Sequence, residues 1–169
     1  MRKLLSSFLI LAVLAGTVLA ADTMSISGER TQAAPGDIIT YAVSITNNTG
    51  VAGFLVYVQC DTDVFSLVKD DDGEYTVSSS DFSRSGTVMA NRYGEDGWQI
   101  LWFNAQNVKT NGTLFTLQMK VREGAASGSY PIHISYSPKD TVTEDGVQTP
   151  LACCLLYTSD AADDLTRVD

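Results

Sequence analysis

The sequence holds one histidine and three cysteines in 169 residues. A metal centre needs His, Cys or carboxylate ligands at fixed spacing, and a Ser-His-Asp triad needs a partnered histidine. There is almost no material for either. Charge is sparse, at 18% of residues, and one-sided: 11 Lys and Arg face 20 Asp and Glu. Two of the 11, Arg2 and Lys3, lie in the first 20 residues, which leaves the remainder near −11. Nucleic acids and anionic membranes attract clustered cations, so neither fits as a partner. Composition points away from an enzyme and toward a binding module, and no cofactor is expected.

Long apolar runs are also missing, with one exception. Leu4 to Leu19 is nearly all apolar or small and follows Arg2-Lys3. It runs about 16 residues, short of the roughly 20 that span a bilayer. Val18-Leu19-Ala20 closes it with the small residues a signal peptidase reads. Residues 1–20 are therefore expected to be a secretory signal peptide, and the mature chain to be exported, with no membrane segment of its own. Export permits disulfides. Cys60, however, stands alone in the body of the chain, and Cys153-Cys154 are neighbours near its end, so no framework can be read.

What is present is a period of two. Ile39, Tyr41, Val43 and Ile45 alternate with Thr40, Ala42, Ser44 and Thr46. Phe115, Leu117, Met119 and Val121 alternate with polar residues, and so do Tyr130, Ile132, Ile134 and Tyr136. Each stretch reads as a strand with one face in a core and one in water. Turn signals punctuate them: Pro35-Gly36-Asp37, Asn47 to Gly50, Asp72-Gly73, Asp96-Gly97, Asn111-Gly112 and Asp145-Gly146. Short strands at this spacing predict an all-β sandwich.

Two strands are apolar on both faces. From Phe54 to Cys60 one face is Phe54, Val56, Val58 and Cys60, and the other is Leu55, Tyr57 and Gln59. From Trp98 to Ala105 one face is Leu101, Phe103 and Ala105, and the other is Trp98, Ile100, Trp102 and Asn104. A two-sheet sandwich covers only one face of each sheet, so the second apolar face is expected to be an exposed contact patch rich in Tyr and Trp.

Several segments resemble bacterial cohesin domains. Pro35-Gly36-Asp37 before an alternating strand is similar to their opening. Cys60-Asp61-Thr62-Asp63-Val64-Phe65 resembles the family's "Y-D-P-x-V-L" segment, with Cys60 for the aromatic and Thr62 for the proline. Trp98 to Asn104 is similar to its "I-x-F-L-F" strand, and Gly112 to Ile132 resembles "G-x-L-x-x-x-x-F-K-V-K-x-x-A-x-x-G-x-Y-x-I". The resemblance spans about Met24 to Ala152, within an expected domain of residues 21–152. It implies a jelly-roll, immunoglobulin-like sandwich of about nine strands that does no chemistry and docks the dockerin modules of secreted polysaccharide-degrading enzymes onto a scaffoldin. It also implies a docking face on the third, fifth and sixth strands. Carried over by position, these offer Leu55, Tyr57 and Gln59, then Met89, Asn91 and Tyr93, then Ile100, Trp102 and Asn104. Leu55, Tyr57, Ile100 and Trp102 would be buried by the partner, and Trp102→Ala would weaken binding. Gly53 and Leu55 stand where well-known members carry Asn and Asp, which implies a more apolar interface.

An alternative is a carbohydrate-binding module of similar fold, stacking cell-wall polysaccharide on Tyr57, Trp98 and Trp102. Residues 153–169 lack any period-two pattern and resemble translated adapter read-through, so the closing strand is expected to be missing or replaced. Asp70-Asp71-Asp72-Gly73-Glu74 fails as an EF-hand, because Val68 and Ser79 fall where its first and last ligands belong. Asn47 and Asn111 match a glycosylation pattern but read as turn residues, and His133 reads as an exposed histidine.

Overall fold

The computed structural model describes residues 22–80, 86–136, 138–148, 152–153 and 158–161. The expected signal peptide, residues 1–20, lies outside the described residues, as does most of the tail. Two sheets face each other across one core. The first runs β12 (Ala152–Cys153), β1 (Thr23–Gly28), β3 (Ile38–Thr46), β9 (Gly112–Val121), β5 (Phe65–Leu67), and β6 (Val77–Ser79) also pairs with β9. The second runs β11 (His133–Tyr136), β4 (Val51–Gln59), β8 (Gly97–Val108), β7 (Thr87–Tyr93). A small third sheet joins β10 (Gly128–Pro131), β13 (Thr158–Ala161) and β2 (Gln32–Ala33).

The alternating strands fold as their pattern dictates. Ile39, Tyr41, Val43 and Ile45 of β3 are buried, as are Phe115, Leu117, Met119 and Val121 of β9. Their outward neighbours are small or polar: Thr40, Ala42 and Ser44 lie opposite Gln118, Thr116 and Thr113. From the other sheet, Phe54, Val56 and Val58 face inward. Phe54 stacks on Trp102 at 5.3 Å and on Phe115 at 6.1 Å, which joins the two sheets. Each such side chain removed from water contributes about 1.5–3 kcal/mol.

Two features differ from the sequence reading. The stretch from Tyr130 to Tyr136 is not one strand. It splits at Ile132, so that β10 belongs to the small sheet and β11 pairs with β4. The tail also contributes strands. β12 lies parallel to β1, with Met24 opposite Cys153, and β13 lies parallel to β2, with Gln32 opposite Asp160. These tail strands therefore accompany the first segment of the chain with an almost constant offset. The place of a closing strand is filled without apolar alternation, because ladder pairing uses backbone N–H and C=O groups whatever the side chain.

At the end of the sandwich where β4 finishes, Trp98 is capped from both sides. The Arg92 guanidinium lies 4.9 Å from its ring, and Tyr75 meets it edge-on at 6.3 Å with Lys69 beyond. At the other end Asn48 ties two turns together, its Nδ2 donating to the carbonyls of Val108 at 3.0 Å and Thr110 at 2.8 Å. Asn47 occupies a left-handed turn position (φ 56°), and Asn111 Oδ1 accepts the Asn48 N–H, so both sequon asparagines serve turns.

Gly97 starts β8 with φ 146°, and a Cβ there would meet the Val58 carbonyl oxygen at 2.0 Å. Gly97→Ala is expected to cost at least about 2 kcal/mol through strain and overpacking. A chemical-denaturation midpoint unchanged from wild type would show that the β4–β8 contact can open.

Candidate functional site

The outer face of the four-stranded sheet is laid out by its register. Side chains directly opposite in an antiparallel pair share a face. One row reads His133, Gln59, Gly97, Tyr93 across β11, β4, β8 and β7, and the next reads Ser135, Tyr57, Gln99, Asn91. The third is Leu55, Leu101, Met89, and the fourth is Gly53, Phe103, Thr87 with Val142 bridged to Gly53. Phe103 is 49% exposed, Tyr93 44% and Met89 43%, so this face is open to solvent.

The face has two halves. Leu55, Leu101, Met89 and Phe103 make an aliphatic and aromatic half. Gln59, Gln99, Asn91, Ser135 and His133 make an amide-rich half. Between them Tyr57 and Tyr93 meet at 4.7 Å and 55°. Gly97, which separates Tyr93 from Gln59 in its row, leaves that space clear of a side chain. Burial, then the nearby Asp140 carboxylate, then Tyr93 push the Tyr57 phenol above its ordinary value.

Leu55, Tyr57 and Gln59 thus lie where the sequence predicts, and so do Met89, Asn91 and Tyr93. The expectations for the sixth strand, β8 in the structure, need correction. Ile100 and Trp102 are fully buried, opposite Val56 and Phe54, and fill the core instead of the outer face. Asn104 lies in a bulge: Val51 pairs with Val108 and Gly53 with Phe103, so the residues between belong to no regular row. Its Oδ1 accepts the Ala105 N–H at 2.8 Å and its Nδ2 donates to the Gln106 carbonyl at 3.1 Å. Glu144 and Asn107 brace the same bulge reciprocally, each backbone N–H donating to the other's side chain at 2.9 and 3.0 Å. The residues missed are Gln99, Leu101 and Phe103. Gln99 was the available signal, since a glutamine turned into the core without partners would be costly.

The sugar platform of the alternative reading is also corrected. Trp98 and Trp102 are 3% and 0% exposed, which leaves Tyr57 and Tyr93, tilted against each other, in place of a coplanar row.

Below the amide-rich half, Asp61, Asp63, Glu95 and Asp96 line an open hollow of about 590 Å³ with Cys60, Thr62 and Arg92. A second hollow of about 420 Å³ shares Cys60, Asp61 and Asp96 and reaches Gln59 and His133 on the face. Among the described residues no group of three or more His, Cys, Asp or Glu is placed to hold a metal ion. Burial pushes the Cys60 thiol up to about 12, with Arg92 pulling it down and Asp61 up by smaller amounts. A thiol so raised is protonated at pH 8, where a free cysteine is partly thiolate, so Cys60 is expected to alkylate on the order of a thousandfold more slowly. The comparison is made in a Cys153→Ser/Cys154→Ser background, with the unfolded chain as reference. Equal rates would place the thiol in solvent. Because the raised value is the folded one, the stability it supports is present below the unfolded thiol's pKa and is lost as pH climbs toward 12.

The sequence model of the cohesin domain matches residues 24–152. The chain belongs to the cohesin family. Solved cohesins share the fold at low identity. A type I cohesin–dockerin complex from Clostridium thermocellum matches at 19% identity and TM-score 0.62, covering 83% of this chain and 99% of that one. The second type II cohesin of the adaptor ScaA scaffoldin of Acetivibrio cellulolyticus matches at 18% and 0.65, covering 84% and 98%. A non-cellulosomal cohesin from the archaeon Archaeoglobus fulgidus matches at 15% and 0.66, covering 86% and 94%. No curated protein sequence matches the chain.

Proposed function

We propose that this cohesin is a secreted, non-catalytic module that binds a dockerin through the outer face of its four-stranded sheet. One observation carries the reading: the two outer faces differ in kind. The β3–β9 face presents Thr40, Ala42, Thr116 and Gln118. The β4–β8–β7 face presents Leu55, Leu101, Met89, Phe103, Tyr57 and Tyr93 in one contiguous block. An exposed apolar patch with aromatic anchors and a polar rim has the anatomy of a protein interface. Leu55, Leu101 and Phe103 would supply burial, while Gln59, Gln99 and Asn91 would fix register through hydrogen bonds. The dockerin modules of polysaccharide-degrading enzymes are the fitting partner class, as in the type I complex the fold resembles.

The test is calorimetric titration of the chain with calcium-loaded dockerins of types I, II and III, beside retention on insoluble cellulose. Saturable one-to-one binding to one of them is expected, with Phe103→Ala costing about 2 kcal/mol of affinity or more. Retention on cellulose with no dockerin bound would overturn the reading and favour polysaccharide as ligand.

A further inference from the structure

We infer that the dockerin surface seated on this face is apolar at its centre and carries Lys or Arg side chains that reach the acidic hollow beside Gln59 and His133. The inference rests on the docking reading above and adds the partner's chemistry to it.

The face has no Lys or Arg in its four outward rows. Its lower edge runs directly into the carboxylates of Asp61, Asp63, Glu95 and Asp96, because the hollows they line share Cys60, Asp61 and Asp96. All four residues but none of the apolar block carry charge, and all four are exposed. Two guanidiniums lie against these carboxylates, and both are held by backbone carbonyls. Arg122 Nε donates to the Thr62 carbonyl at 2.9 Å. Arg92 Nε donates to the Gly94 carbonyl at 3.0 Å, its Nη2 lies 3.4 Å from the Glu95 carbonyl, and its guanidinium covers Trp98. The ion pairs Arg30–Asp37 and Lys120–Glu123 lie at this end of the sandwich but involve none of the four carboxylates of the hollow. Four carboxylates against two guanidiniums leave the edge of the patch net negative, and a partner cation would offset that remainder. A second carboxylate surface would be repelled, and a basic one would be steered in and held in one orientation.

The test measures association rates with the dockerin that wild type binds most tightly in the three-type panel. Asp63→Asn/Glu95→Gln/Asp96→Asn removes three charges from the hollow. Asp61 is spared because its Oδ1 accepts the Asp63 N–H and holds the turn. Asp71→Asn/Asp72→Asn/Glu74→Gln removes the same number from the loop between β5 and β6, which belong to the other sheet. At about 50 mM salt the first variant is expected to associate at least about tenfold more slowly than wild type, with the second within about twofold. The gap should close near 500 mM salt, where screening is short-ranged. Equal slowing in both variants, or none in the first, would overturn the inference and leave the docking reading standing. If wild type binds none of the three dockerins at either salt, the docking reading fails and this inference fails with it.

Discussion

Trp102→Ala is expected to destabilise the fold by about 3–5 kcal/mol while leaving dockerin affinity of the folded fraction nearly unchanged. Trp102 is fully buried, stacked on Phe54, and central to the contact between the sheets. Truncating it leaves a cavity that its neighbours, held in two hydrogen-bonded ladders, cannot close. Gly86 packs against the indole so tightly that a Cβ there would come within 2.5 Å of Nε1, which shows how little room the site has. Equilibrium unfolding in urea gives the first quantity, and titration below the transition gives the second. A stable variant with lost affinity would return Trp102 to the interface and reverse the face assignment of β8.

Leu101→Asp is expected to have the opposite signature. Leu101 stands between Leu55 and Met89 in the outward apolar row. In the free protein a carboxylate there faces water, and the fold should lose little. In the complex it would be stripped of water against an apolar partner surface, at a cost of several kcal/mol, so binding should fall by at least about a hundredfold. Gln118→Asp places the same charge on the exposed face of β9 and is expected to bind as wild type. If the two variants behave alike, the interface lies elsewhere.

Much of the sandwich was legible because a half-buried strand writes its two environments into alternate residues. β3 and β9 carry that signal cleanly, and the structure buries the side chains the alternation selects. β4 was also readable, since Tyr57 and Gln59 mark its outer face. In β8 the signal fails, because both parities are apolar and only Gln99 distinguishes them. Treating tryptophan as an interface anchor put Ile100 and Trp102 on the wrong side. The register with Phe54 and Val56, a long-range fact, decides the matter. The bulge that removes Asn104 from the rows depends on a pairing shift between Val51 and Gly53, and the split at Ile132 depends on which sheet each half joins. Neither is a local property of the residues concerned. The strands of the tail were hidden for a different reason: their pairing is through the backbone, and side-chain pattern does not report it.

The most direct measurement is methyl cross-saturation from a proton-rich dockerin to the deuterated, methyl-labelled chain. Docking on the four-stranded sheet predicts attenuation at the methyls of Leu55, Met89 and Leu101, and none at Thr40, Ala42 and Thr116 on the opposite sheet. Attenuation at the second set with the first unaffected would contradict it.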